Sequence, residues 1–177
     1  MAGNPDNAAL WAEADVYVAP LGSPLPADAD APFSSAWKLV GLLDGDDGFS
    51  ESRDEDKNDY FAWGGILVRT ARRHFKLTKS FSVLEDNATT RGLIWPGSTD
   101  TEIVVPRPGK VMLAFETREG DKVKRVITRR HAEVDVAGDI TENESDLTKV
   151  SLDASIFPDG DGVLFDRQES AAAPVAP

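Results

Sequence analysis

Residues 37–70, WKLVGLLDGDDGFSESRDEDKNDYFAWGGILVRT, limit what this chain can fold into more than any other stretch. Two apolar segments, one holding Trp37 and the other Trp63, bracket a run with eight acids between positions 44 and 59 against only Arg53 and Lys57. Such a run offers no apolar face to bury, so it reads as a long loop over residues 44–62. A compact domain keeps so long a loop when it has a task. The loop is therefore expected to form half of an interface, with Trp37 and Trp63 anchoring it against a partner.

The rest of the chain reads as mostly β. Residues 15–20 alternate Val16 and Val18 with Asp15 and Tyr17 and stop at Pro20, as a short strand does. Residues 21–36, with Pro24, Pro26 and Pro32, mark a loop, and residues 37–43 resume an apolar strand pattern. Residues 66–70 lead into the clearest period-two segment. There Phe75, Leu77, Phe81 and Val83 share one face, while His74, Lys76, Thr78, Ser80 and Ser82 share the other. The first face is core; the second is wet or lies against a partner.

Residues 87–94 are the internal helix, capped by Asp86 or Asn87 and ended by Pro96-Gly97. Residues 111–118 and 122–127 flank Glu119-Gly120-Asp121, a hairpin signal. Two further strands put Ala132, Val134 and Val136, then Val150, Leu152, Ala154 and Ile156, on single faces, and Asp159-Gly160-Asp161-Gly162 turns into a last strand at 163–165. Asn4-Pro5-Asp6 can cap a helix running to Glu13, or residues 1–14 form an extended arm. The domain spans 15–167, and 168–177 read as a flexible tail. Many strands with one short helix predict a β-sandwich or β-barrel with that helix on one side.

Charge is segregated along this order. Between Arg69 and Arg91 stand six basic residues against two acids, and between Arg107 and Arg130 eight against three. From Glu133 onward there are eleven acids and only Lys149 and Arg167. Arg69, Arg72, Arg73, Lys76, Lys122, Lys124, Arg125, Arg129 and Arg130 make up a basic surface complementary to the acidic loop. Such complementarity suits a molecule that binds copies of itself head to tail. The alternative is that the unlike charges meet within one chain.

Composition closes several routes. No cysteine is present, which excludes disulfides, thiolate zinc sites and thiol nucleophiles. A net charge of −12 disfavours tight binding to a phosphate backbone, which needs Lys and Arg to displace counterions. No apolar run reaches the ~20 residues of a membrane helix, and residues 1–15 lack the basic and apolar parts of a signal peptide. The expectation is synthesis in a cytosol, with no membrane binding.

The only histidines are His74 and His131. A histidine triad and an HExxH zinc site are thereby excluded, and no GxSxG, GxxxxGK[ST] or GxGxxG motif occurs. Asp44-Gly45-Asp46-Asp47-Gly48 and the 159–162 turn lack the EF-hand spacing and read as ordinary Asp-Gly turns. Trp11, Trp37, Trp63 and Trp95 can line a sugar groove but more often serve as core or interface anchors. No catalytic residue, cofactor or metal ligand is nominated.

The order of segments resembles the major tail proteins of long-tailed (siphovirus) bacteriophages, which build the tail tube. The likeness runs from Val16-Tyr17-Val18-Ala19-Pro20 through Trp37-Lys38-Leu39-Val40-Gly41, Asp47-Gly48-Phe49-Ser50-Glu51-Ser52 and Ala62-Trp63. It continues through Val68-Arg69-Thr70, Phe81-Ser82-Val83-Leu84-Glu85 and Asn87-Ala88-Thr89-Thr90. It covers most of residues 15–95; past residue 110 only the strand pattern is similar.

The resemblance implies a β-sandwich with a flanking helix, assembled into hexameric rings that stack into a hollow tube. Four strands of each subunit then line a continuous inner barrel, which removes exposed sheet edges. It also implies that the 44–62 loop reaches the neighbouring ring. The inter-ring contacts are then Trp37, Asp44, Asp46, Asp47, Phe49, Glu51, Asp54, Glu55, Asp56, Phe61 and Trp63.

Further partners implied are tape-measure, tail terminator and distal tail proteins, within a virion made in a bacterial cytoplasm. No host-surface-binding module is expected. DNA passes without specific binding, since an acidic lumen repels phosphate. Glu133, Asp135 and Asp153, opposite the apolar alternation of their strands, are lumen candidates. From the residues alone, a monomeric β-sandwich that binds carbohydrate or calcium, or a carboxylate-dependent hydrolase, stays open.

Overall fold

The computed structural model describes residues 8–107 and 109–170. Nine strands form among these residues: β1 (Glu13–Ala19), β2 (Lys38–Leu39), β3 (Ser50–Ala62), β4 (Ile66–Val83), β5 (Lys110–Glu119), β6 (Lys122–Thr128), β7 (His131–Val136), β8 (Val150–Phe157) and β9 (Phe165–Glu169). One helix, α1 (Ala88–Ile94), joins them. All pairings are antiparallel, in two wings. One runs β2-β1-β5-β6-β9, and the other runs β7-β8-β4-β3. The start of β5 joins them, where Lys110 and Val111 lie opposite Glu133 and Ala132.

The wings face each other across the core. Val16, Leu113 and Phe115 come from the first, and Leu77, Phe81, Leu152, Ala154 and Ile156 from the second. Phe81 and Phe115 meet edge to face with ring centroids 5.7 Å apart. Each large side chain buried there contributes roughly 1.5–3 kcal/mol over leaving it exposed.

A second cluster covers the other side of the first wing. Trp37, Ala19, Met112, Ala114 and Ile127 are buried there, with Tyr17 and Phe33 packed against them. The proline-bearing segment 20–36 is pinned over this cluster. Trp37 Nε1 donates to the Pro24 carbonyl at 2.9 Å, Arg125 Nη1 to the carbonyls of Asp28 and Ala31 at 3.0 and 2.7 Å, and Gln168 to that of Pro26 at 2.7 Å. Arg125 is itself buried and ion-paired with buried Glu116.

α1 begins where the sequence places it. The Asn87 side chain accepts from the backbone N–H groups of Thr89 and Thr90, satisfying two otherwise orphaned donors. Its Nδ2 donates to the Val40 carbonyl at 2.7 Å, and buried Thr90 donates to the same oxygen at 2.8 Å. Thr90 is thus kept for its anchoring hydroxyl despite its poor helix propensity. Gly41, at φ 116°, is required beside this knot: a Cβ there would stand 2.5 Å from the Glu85 carboxylate.

Four expectations are corrected. The segment 44–62 is not a structureless loop: residues 50–62 form β3, hydrogen-bonded along its length to β4. Only Lys38–Leu39 of the expected 37–43 strand pairs regularly, because positive-φ Gly41 turns the chain there. Residues 8–12 form no helix, Glu13 and Ala14 already belong to β1, and positions 1–7 lie outside the described residues. At the other end, Gln168 and Glu169 complete β9, whose pairing with β6 removes them from the expected tail; positions 171–177 lie outside the described residues. Among the described residues no helix is long and apolar enough to cross a membrane.

Candidate assembly surfaces

Two surfaces stand out because none of the other described elements packs over them. The first is the face of the β7-β8-β4-β3 wing turned away from the core. Register sets one row across all four strands: Asp135 opposite Asp153, Asp153 opposite Ser80, Ser80 opposite Ser50. A second row runs Lys110, Glu133, Ser155, Thr78, Ser52. Ser80 Oγ donates to Asp153 at 2.5 Å, and the Ser82 and Ser151 hydroxyls lie 3.0 Å apart. Glu133, Asp135 and Asp153 are thus brought onto one polar face with Ser80 and Ser82, expected there, and with Ser151 and Ser155, which the sequence does not single out. Ser151 and Ser155 alternate with Leu152 and Ile156, which was signal enough to find them.

At one end of this face lies buried His131, stacked on Phe157 with ring centroids 4.4 Å apart. Burial, and then the positive charges of Lys110 and Arg130, hold its pKa below the usual 6.5, opposed by Glu133 at 3.9 Å.

The second surface is the outer part of the β3–β4 hairpin. Pairing with β8 begins only at Leu77, so residues 66–76 of β4 and their β3 partners project as a two-stranded arm. At about 3.3 Å per residue the arm extends roughly 35 Å. It is bent by bulges at Asp54/Asp56 and Tyr60/Phe61. At the first bulge His74 takes φ 56° and its Nδ1 lies 2.8 Å from Asp56. Gly64 and Gly65, both at positive φ, close the turn. Tyr60, Phe61, Trp63, Ile66, Leu67 and Val68 stand exposed around it, Trp63 completely.

The acidic and basic segments meet first within this hairpin. Asp54 lies opposite Lys76 and Asp56 opposite Arg73. Arg72 reaches Glu55 at 3.2 Å, and Glu51 lies 2.7 Å from Arg53 and 3.8 Å from Lys79. Lys79 is drawn over Phe115, 5.0 Å from its centroid, and burial lowers its pKa against the pull of Glu51. Asp46 and Asp47 sit in a turn closed by their backbone N–H groups on the Asp44 carboxylate. Lys149 lies 3.2 Å from Asp44 and 3.0 Å from Asp47. The turn N–H groups and Lys149 lower the Asp44 pKa, and the Ser82 hydroxyl and Lys149 lower that of Asp47. The basic stretch 69–79 thus meets the acidic one on the same chain.

Trp37 does not face a partner: it is buried beneath segment 20–36. Phe49 is half-buried, its ring 5.3 Å from Phe115. The remaining basic residues lie in the first wing or around β9. Lys124 Nζ stands 6.0 Å from the Trp11 ring, Arg129 pairs with Asp159 and Asp166, and Arg130 donates to the Pro158 carbonyl. Lys122 opens β6 at an exposed position. Arg125 is removed from the expected surface by burial on Glu116.

Asp159 accepts from the N–H groups of Asp161 and Val163 as an ordinary turn residue. Among the described residues no cluster of three or more acidic or histidine side chains is arranged to hold a metal ion.

A β fold whose most distinctive features are a projecting hairpin and an uncovered polar sheet face has the form of a structural subunit that meets other proteins. The chain belongs to the phage tail tube protein family: the family model described as Phage tail tube protein matches residues 1–166. It is accordingly a structural component of a phage virion tail, in a family that assembles with itself and with other tail proteins. A search of curated proteins finds no match.

Proposed function

We propose that the chain is the tube-forming subunit of a long-tailed phage, closing into hexameric rings that stack into a conduit for DNA ejection. The observation that carries this reading is the four-stranded wing β7-β8-β4-β3, polar and uncovered on one face and open at its lateral edges. Among the described residues β3 has no strand on its outer side, and β7 has none beyond Glu133. Four antiparallel strands leave β3 and β7 running in opposite directions. A rotation about an axis roughly along the strands therefore brings β3 of one copy against β7 of the next as an antiparallel pair. Repeating the step closes a barrel and removes both edges.

The row Asp135, Asp153, Ser80, Ser50 then lines the lumen. Its acids repel phosphate, and its serines supply no cation to exchange for counterions, so DNA slides without being held. The arm of β3 and β4 reaches the adjoining ring. A tape-measure protein, a terminator and distal tail proteins complete the tail, and the subunit is made in the host cytoplasm.

Sedimentation velocity with negative-stain microscopy of the purified chain tests this. Rings or tubes with a central hole are expected as concentration rises. A species that stays monomeric at every concentration and salt, and binds a sugar or calcium, refutes it.

A further inference from the structure

The arm's apolar tip needs a receptor, and the chain carries a matching one at the opposite end of the same strand. β4 begins at Ile66 in the tip and ends at Val83, which lines a groove of about 640 Å³ between α1 and the segments around residues 98–103 and 140–150. Trp95, Ile103 and Ile140 supply the apolar surface of this groove, and all three are exposed in the single chain.

Charge sorts the two surfaces as partners. The strand pair 56–73 carries Lys57, Arg69, Arg72 and Arg73 against Asp56 and Asp59, and Arg69, the cation nearest the turn, has no ion pair among the described residues. The groove is lined by Glu85, Asp86, Asp100 and Glu142 against Arg91 alone, which is already held by Asp86 and Asp100. A basic, aromatic tip therefore faces an acidic, aromatic groove.

From this we infer that the hairpin tip of one copy seats in the α1 groove of the next copy along the strand direction. The two patches are different surfaces at opposite ends of one strand, which is the requirement for a head-to-tail contact that propagates without limit. Trp63, Phe61 and Leu67 pack on Trp95, Ile103 and Ile140, while Arg69, close to the tip along β4, approaches Glu142. Polarity is the reverse of what the acidic run suggests: the acids of β3 are met by β4, and the arm presents cations at its end. This contact rests on the stacked-tube reading and specifies which surfaces stack.

The absence of cysteine makes a cross-link unambiguous. Ala62, beside the tip, and Ala88, on the groove wall, are exposed and small. The double variant Ala62→Cys/Ala88→Cys, treated with a short bismaleimide after assembly, is expected to give a ladder of covalent multimers on a denaturing gel. Either single variant is expected to give no ladder. As a comparison, Ala62→Cys/Thr117→Cys samples a second cavity lined by Thr117, Phe115 and Lys124. Tubes that form normally but give the ladder only with Thr117→Cys, or with neither pair, overturn the docking and leave the tube standing. Failure of the unmodified chain to form rings or tubes overturns both.

Discussion

Single side chains carry effects that separate folding from assembly. Asn87 holds two helix N–H groups and the Val40 carbonyl at once, so Asn87→Ala is expected to cost about 1–2 kcal/mol for the cap, read as a lower urea midpoint. Arg125→Ala is expected to be harsher, about 3–5 kcal/mol, because it leaves the Glu116 carboxylate buried without its partner and frees segment 20–36. His131 gives a pH signature. Its folded pKa is lowered, so below about pH 6.5 the unfolded chain takes up a proton that the folded chain refuses. Stability is expected to fall as pH drops through that window and to be independent of this group above it. Urea titrations at pH 7.5 and 5 should show the loss, and His131→Gln should remove this part of it.

At the scale of elements, legibility followed burial. β7 and β8 each turn one face to the core, so their apolar residues recur every second position; β5 buries Leu113 and Phe115 on one face and Met112 and Ala114 on the other, so it reads as a continuous apolar run. β3 buries neither face. Its SESRDEDKND run carries no alternation and was read as a loop, although it is a strand held by its partner. The signal that was present is different in kind: an acidic run and a basic run in mirror order about Gly64-Gly65, which is how cross-strand charge pairing looks in one dimension. Trp37 was misplaced for a related reason, since composition cannot show that a proline-bearing segment folds back to cover it.

A two-stranded arm without a core beneath it is marginal alone. Replacing residues 56–73 with a short turn is therefore expected to leave the two wings folded, with a cooperative urea transition at a similar midpoint, yet to block growth beyond single rings. Full-length tubes from that variant would show that the arm does not stack rings.

For the whole molecule, the resemblance and the family agree on a tail tube protein, and the wings show how such a chain can present one polar face and two open edges. That Glu133, Asp135 and Asp153 lie on the polar face is legible because they alternate with apolar neighbours on their strands. That Asp135 and Asp153 stand side by side is not, because register between strands is set by long-range pairing. Tip-to-groove docking relies on apolar surface as well as on Arg69. Raising ionic strength should therefore slow stacking without abolishing it, whereas Trp63→Ala should abolish it at any salt. Turbidity or pelleting across a salt series measures both.

The uncovered face of β7-β8-β4-β3 is proposed as the inner wall of a tube. A cryo-electron microscopy map of assembled chain tests it most directly. The account predicts Glu133, Asp135 and Asp153 facing the lumen, with β3 of each copy paired to β7 of its neighbour. A map in which that face lies on the outer wall, or in which those edges do not meet, contradicts it.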